Sequence, residues 1–287
     1  MSARTLVVNA DDLALHPAVN EGIFEAHECG ILRSASIIAT GAAVDEVCRY
    51  ARAHPALDLG VHLTLMDVSP AGDPAPWRDL LDDDGRLPPS VAPRSLARLL
   101  PRLTRRPDDA TAEFAAQIQR VRELGLRPTH LDSHNHLHLW PGLFARVARL
   151  CRDEGIPFLR VPRGAVRRLP RRPWQVDRAT VKGAAIRLLG RAVSWRLPPQ
   201  VRTPDHLVGL GRFGPGAGPE QAVRLVAQLG PGITEWLVHP VCDSAAFQAA
   251  FPWGEGWGRE LRTLCDPAVA TALRRGGVRV AGFGELS

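Results

Sequence analysis

Four of the ten histidines and one aspartate fall within nine residues, His130-Leu131-Asp132-Ser133-His134-Asn135-His136-Leu137-His138, and all five occupy even positions. On an extended strand, even positions share one face. A buried face of that polarity requires a partner, because unpaired buried polar groups are costly. A divalent metal ion is such a partner. A hydrogen-bonded polar strand end or a run of surface histidines is the alternative. The segment is expected to leave the strand near Ser133, so that the later histidines fan out over the strand's end.

Three further positions carry the same kind of chemistry. Asn9-Ala10-Asp11-Asp12 follows a short apolar run, His62 lies in LGVHLTL, and His239-Pro240 follows TEWLV. Each has a plainer reading. An aspartate can cap the next helix, a lone histidine can be a satisfied core residue, and His239 can mark a strand end. Adjacent carboxylates at a buried strand end are harder to explain by capping alone. In a β/α barrel the active site is assembled at the C-terminal ends of several strands. Four such ends supplying acid–base or ligand residues together point to a site.

The elements that must position them alternate. Short apolar runs predict strands at Thr5–Asn9, Ser34–Thr40, Leu59–Leu65, Thr129–Ser133, Phe158–Val161, His206–Leu210, Thr234–His239 and Val278–Phe283. Between them, Pro17 to Gly30, Ala42–Ala53, Ala110–Leu124, Pro141–Glu154, a segment near 179–196, Glu220–Leu229 and Ala268–Arg275 read as helices. Residues 67–107 read as a long irregular insertion, 163–204 as an arginine-rich one, and 243–258 as a glycine- and tryptophan-rich loop. Strand–helix alternation predicts a parallel β/α architecture, with eight units suggesting a barrel. An open doubly wound sheet is the runner-up, without a glycine-rich phosphate loop after the first strand to support it.

Composition narrows the classes. The chain has 287 residues, 45% of them apolar, which suffices for a large core in one domain spanning 1–287. Five scattered cysteines without CxxC spacing argue against a disulfide framework and suit a reducing compartment. With neither a signal pattern nor a membrane span, a cytoplasmic location is expected. The net charge is +6, yet Lys182 is the only lysine. That imbalance reads as compositional bias rather than as nucleic-acid binding. The basic residues thicken between Arg160 and Arg202, where a solvated face or peripheral contact with an acidic or phospholipid surface through 163–202 is expected. Oligomeric state stays open, a homodimer included.

The blocks VVNADD (7–12), VNEGIFEAHECGILRSASIIATG (19–41), LGVHLTL (59–65), PTHLDSHNHLHLWP (128–141), FLRVPR (158–163), TPDH (203–206), TEWLVHP (234–240) and RELRTL (259–264) run in order along the chain. In these blocks the chain resembles the YdjC-like carbohydrate deacetylase family, which includes a chitooligosaccharide deacetylase and a hopanoid-biosynthesis branch. The resemblance implies a distorted (β/α) barrel of TIM or polysaccharide-deacetylase-like type that hydrolyses the N-acetyl group of an amino sugar, free or lipid-linked. It implies one divalent ion, zinc first and magnesium or another ion as alternatives, held by Asp12, His62 and His134. Asp11 is then the general base and His239 the general acid. Asp132, His136 and His138 become residues that orient ligands or contact the sugar, Arg160 one that binds the substrate or tunes Asp11, and Trp140, Trp253 and Trp257 candidates for sugar stacking. Two competing readings are another barrel metal hydrolase, acting on a lactam or phosphoester, and an arginine-rich nucleic-acid binder. The second leaves the Asp/His constellation unexplained.

Overall fold

The computed structural model describes residues 4–163, 178–210, 217–242, 245–251 and 256–286. Eight strands, β1 (Arg4–Leu13), β2 (Ser34–Ile37), β3 (Asp58–Leu63), β4 (His130–Ser133), β5 (Phe158–Leu159), β6 (His206–Val208), β7 (Gly232–Val238) and β8 (Val278–Val280), are found among them. All pairings are parallel, in the order β5-β4-β3-β2-β1-β7-β6, with β8 attached to the first residues of β1. A parallel bridge from Phe158 to Arg202, just ahead of β6, brings the two ends of this curled sheet towards each other. The expected distorted barrel is therefore present, with seven strands in its path rather than eight.

The helices are α1 (Pro17–Glu28), α2 (Val44–Ala53), α3 (Pro93–Arg105), α4 (Pro107–Glu123), α5 (Pro141–Asp153), α6 (Arg178–Val193), α7 (Pro219–Val226), α8 (Ala245–Ala250), α9 (Trp257–Leu264) and α10 (Pro267–Arg275). Six of them open on a proline, whose missing N–H is one that a helix start leaves unpaired anyway. Strands β1 to β5 are buried on both faces and include continuous apolar runs such as Leu6-Val7-Val8, whereas β6 and β8 each keep an exposed residue.

Three expectations need correction. Residues 67–107 are not irregular throughout, because α3 fills Pro93–Arg105. Its Leu99 and Leu103 are buried one turn apart, while Pro101 lies on the solvent side, where water can take the carbonyl its missing N–H leaves free. The loop expected over 243–258 contains α8 and the start of α9. The five even-numbered polar residues also do not share one face. Only His130 and Asp132 lie on β4. From His134 the chain turns into a short 3-10 segment, His134–Leu139, with Asn135 and His136 at φ 52° and 55°. Ser133 closes this turn, its Oγ accepting the His138 backbone N–H at 3.0 Å.

A second irregularity lies in β1, which extends through the NADD block instead of ending before it. Ala10 pairs with Ala35 and Leu13 with Ile37, so β1 carries one residue more than β2 over this stretch. Asp12 sits at φ 65°, a region that aspartate tolerates better than most residues. A bulge re-aims side chains. Here it lets the neighbours Asp11 and Asp12, which a regular strand would send to opposite faces, both reach His62.

Close strand packing at Gly60 fixes β3 against β4. A Cβ there would stand 2.4–2.5 Å from the His130 ring, which Thr129 Oγ1 holds at 3.0 Å. Gly60→Ala is expected to cost about 1–3 kcal/mol of stability by overpacking, read from urea denaturation. An unchanged midpoint would show that His130 can yield.

Candidate active site

Five strands deliver charged side chains to one buried region. β1 brings Asp11 and Asp12, β3 brings His62, β4 brings Asp132 and leads into His134, the residue after β5 is Arg160, and β7 brings Glu235 and leads into His239. Asp11, Asp12, His62, Asp132, Arg160 and Glu235 are each at most 3% exposed.

Arg160 is the cation of this region. Its two Nη atoms each lie 2.7 Å from an oxygen of Asp11. Nη2 is also 2.7 Å from Asp132 Oδ2, and Nε donates to Glu235 Oε1 at 2.7 Å. A planar guanidinium with five donors suits three carboxylates where an ammonium would not. Burial pushes the Glu235 carboxyl up to about 7 even with Arg160 beside it. Asn9 and Ser36 complete the cluster, Nδ2 of Asn9 donating to Asp11 at 3.1 Å and Oγ of Ser36 to Asp132 at 2.6 Å.

The two histidines are held differently. His62 Nε2 is 3.2 Å and His134 Nδ1 2.8 Å from the same atom, Asp12 Oδ1. On their outer sides, His62 Nδ1 lies 2.7 Å from Asp132 Oδ1 and His134 Nε2 lies 3.4 Å from Asp67 Oδ2. Each imidazole thus stands between two carboxylates. A neutral ring has one N–H, so it can satisfy only one of them. The second partner is met either by a further proton or by a cation standing at the inner nitrogens. Burial disfavours a charged His62, but Asp132 and Asp11 outweigh it and hold its pKa well above the usual histidine value. Burial likewise raises Asp12, and His134 and His62 more than reverse that.

This arrangement fits a divalent ion. Ligand atoms of Asp12, His62 and His134 all lie within 4.8 Å of one another. The outer carboxylates would fix the ring tautomers, as partners of ligating histidines commonly do. Asp11, His62 and Asp132 form a second group within the same limit. There the charge is already met by Arg160, so the Asp12 group is the better cradle.

His239 reaches the edge of this centre. Its side chain is 22% exposed, with Nε2 4.0 Å from Asp12 Oδ2. Its backbone N–H donates to Glu260 Oε2 at 2.8 Å, and that oxygen lies 4.0 Å from its Nδ1. Burial raises Glu260 to about 8. Trp257 stands edge-on to the His239 ring at 4.7 Å. Other expected residues lie apart from the centre. His138 is fully buried, its ring bonded to Ser133 Oγ and to the Arg160 carbonyl at 2.7 Å, so it ties the turn to β5 and cannot touch a sugar. His136 keeps a buried Nδ1 without a hydrogen-bond partner. Trp140 donates its indole N–H to Thr104 of α3 at 3.0 Å. Arg160 is too enclosed to meet a substrate but does hold Asp11. Trp253 lies outside the described residues.

Sequence reasoning passed over Asp67, Glu235 and Glu260. Glu235 had a signal, as the one acid inside the apolar run TEWLVH. Glu260 lies in the RELRTL block without spacing to His239 that marks it. Asp67, at φ 67°, has none beyond following β3.

The model of the family described as YdjC-like protein matches residues 5–275. A carbohydrate deacetylase from Geobacillus stearothermophilus is 28% identical over 284 residues, covering 99% of this chain and 98% of that protein. A chitooligosaccharide deacetylase from Salmonella paratyphi B is 37% identical over 164 residues, 57% of this chain and 61% of that one. A crystal structure from Enterococcus faecalis V583, described as a cellobiose-phosphate cleavage protein, superposes with a TM-score of 0.75 at 25% identity over all of both chains.

Replacing the hub tests the charge balance. Arg160→Met leaves three buried carboxylates uncompensated and is expected to cost about 3–5 kcal/mol, the usual result of breaking a buried pair from one side. Chemical denaturation measures it, and a loss under about 1 kcal/mol would show that the carboxylates are protonated or solvated instead.

Proposed function

The chain belongs to the YdjC-like family, and from that membership and its buried Asp/His centre we propose that it is a metal-dependent hydrolase removing the N-acetyl group from an amino sugar. The observation that carries this reading is the convergence of His62 and His134 on one oxygen of Asp12, with Asp11 3.9 Å from His62 and His239 4.0 Å from Asp12. The activities printed for the Geobacillus and Salmonella relatives support the substrate class.

Asp12, His62 and His134 would hold the ion, for which zinc suits two imidazoles and a carboxylate, with magnesium or another divalent ion as alternatives. When bound, such an ion supplies Lewis acidity, polarising a carbonyl and lowering the pKa of water. The remaining work belongs to the protein's own groups. Asp11 is the base that takes the proton of the attacking water. Both its oxygens are gripped by Arg160 and Oδ1 also accepts from Asn9, so it is oriented before substrate arrives, and Oδ2 keeps a further lone pair. Asp132 orients His62 through Nδ1, and Asp67 orients His134 through Nε2.

His239 is the acid. Its Nε2 faces the centre while Nδ1 faces Glu260, so the proton at Nε2 is the one that can pass to the departing amine. An amine leaves poorly until protonated, which makes this group chemically necessary. Among the described residues no helix is long and apolar enough to cross a membrane.

Acetate release from N-acetylglucosamine oligomers and N-acetylated glycolipids, with and without added zinc, tests the reading directly. Metal-dependent release is expected, and none from any of them would overturn it. Asp11→Asn should abolish release yet still bind zinc; loss of zinc would mean that the roles of Asp11 and Asp12 are exchanged. His239→Ala should lower kcat roughly 10²–10⁴-fold, whereas a near-normal kcat would remove it from the mechanism.

A further inference from the structure

The exposed face of α6 is apolar in a way that folding does not require. Gly183, Ile186, Gly190 and Val193 face inward, and the contact at Gly190 is so close that a Cβ would lie 2.2 Å from the Pro162 carbonyl oxygen. The opposite face should be polar in a surface helix. Instead Val181, Ala184, Ala185, Leu188, Ala192 and Trp195, spaced i, i+3, i+4, i+7, i+11 and i+14, are all exposed. Val181 is 56%, Leu188 70% and Trp195 75% exposed, and among the described residues Val91 is the only other exposed large apolar side chain.

Cations border this stripe on both sides. Lys182 lies along one flank, with Nζ donating to Asn135 beside the active-site turn at 3.0 Å. Arg191 lies along the other, and Arg196 stacks its guanidinium 4.8 Å above the Trp195 ring. The Trp195 indole N–H is satisfied by the Ala192 carbonyl at 3.0 Å, so the ring can enter an apolar layer without an unpaired donor. Residues 178–196 hold five basic residues and no acid.

We propose that this face of α6 docks on an anionic lipid surface. An apolar stripe with a tryptophan, edged by arginine and lysine and free of acids, is the pattern of a helix lying in the membrane interface. The stripe inserts among acyl chains, while the flanking cations meet headgroup phosphates. A second copy of the chain fits less well, because a two-fold interface would set α6 against α6 and the same cations against one another. A nucleic acid would meet the cations but give Leu188 and Trp195 no apolar partner. The inference does not depend on the deacetylase reading.

Co-sedimentation of the full chain with phosphatidylcholine vesicles, and with vesicles containing about one-third phosphatidylglycerol, tests it. The protein should bind the anionic vesicles in preference and release them as salt rises. The triple variant Val181→Ser, Leu188→Ser, Trp195→Ser, and separately Arg191→Glu with Arg196→Glu, should each weaken binding roughly tenfold. Both should keep the wild-type melting temperature and turnover of a soluble substrate. Equal affinity for neutral and anionic vesicles, or variants that sediment like the wild type, would overturn the proposal. So would a wild-type dimer in light scattering that the triple variant converts to a monomer.

Discussion

The structure turns on a surplus of buried carboxylate. Asp11, Asp132 and Glu235 share the guanidinium of Arg160, while Asp12 and Asp67 add charge that Arg160 does not meet. Burying unmatched charge is among the costliest things a fold can do. The two imidazoles between Asp12 and the outer carboxylates are the remaining counterpart, and in the proposed reading a divalent ion held by Asp12, His62 and His134 would balance the rest. Stability and chemistry therefore rest on the same atoms. A fold that tolerates this cluster must converge several strand ends on it, which a curled parallel sheet does and an isolated hairpin cannot.

Irregular backbone sits where the cluster requires it. The bulge in β1 turns two sequential aspartates inward, and the left-handed residues Asn135 and His136 carry the chain away from β4 immediately after His134. Strain of this kind persists where surrounding contacts over-determine it. Ser133, His138 and the Arg160 carbonyl form such a set of contacts on one side, and Arg160 itself on the other. His138, which looks in the sequence like one more ligand, is a brace between the turn and β5.

Much of this was legible in the residues. Apolar runs and proline starts located the strands and most helices, because buried parallel strands and proline-opened helices leave strong local signals. The residues that converge, Asp11, Asp12, His62, His134 and His239, stand out as polar groups at the ends of apolar runs. Three things were not legible. The period-two pattern from His130 to His138 predicts one face, whereas β4 ends at Ser133, where the chain is expected to leave the strand, and the left-handed Asn135 and His136 that turn it have no signal in that pattern. Helix α3 was hidden by prolines that serve as its first residue and as a solvent-facing interior position. Asp67 and Glu260 act through long-range partners that nothing in local spacing reports, while Glu235 shows only as the one acid in an apolar run.

The proposed chemistry requires a cation held by Asp12, His62 and His134. Anomalous diffraction from a zinc-soaked crystal, collected above and below the zinc edge, tests it most directly. One peak is expected among Asp12, His62 and His134, with Arg160 still on Asp11 and Asp132. A peak at the neighbouring group of Asp11, His62 and Asp132, or none in the barrel, would contradict it.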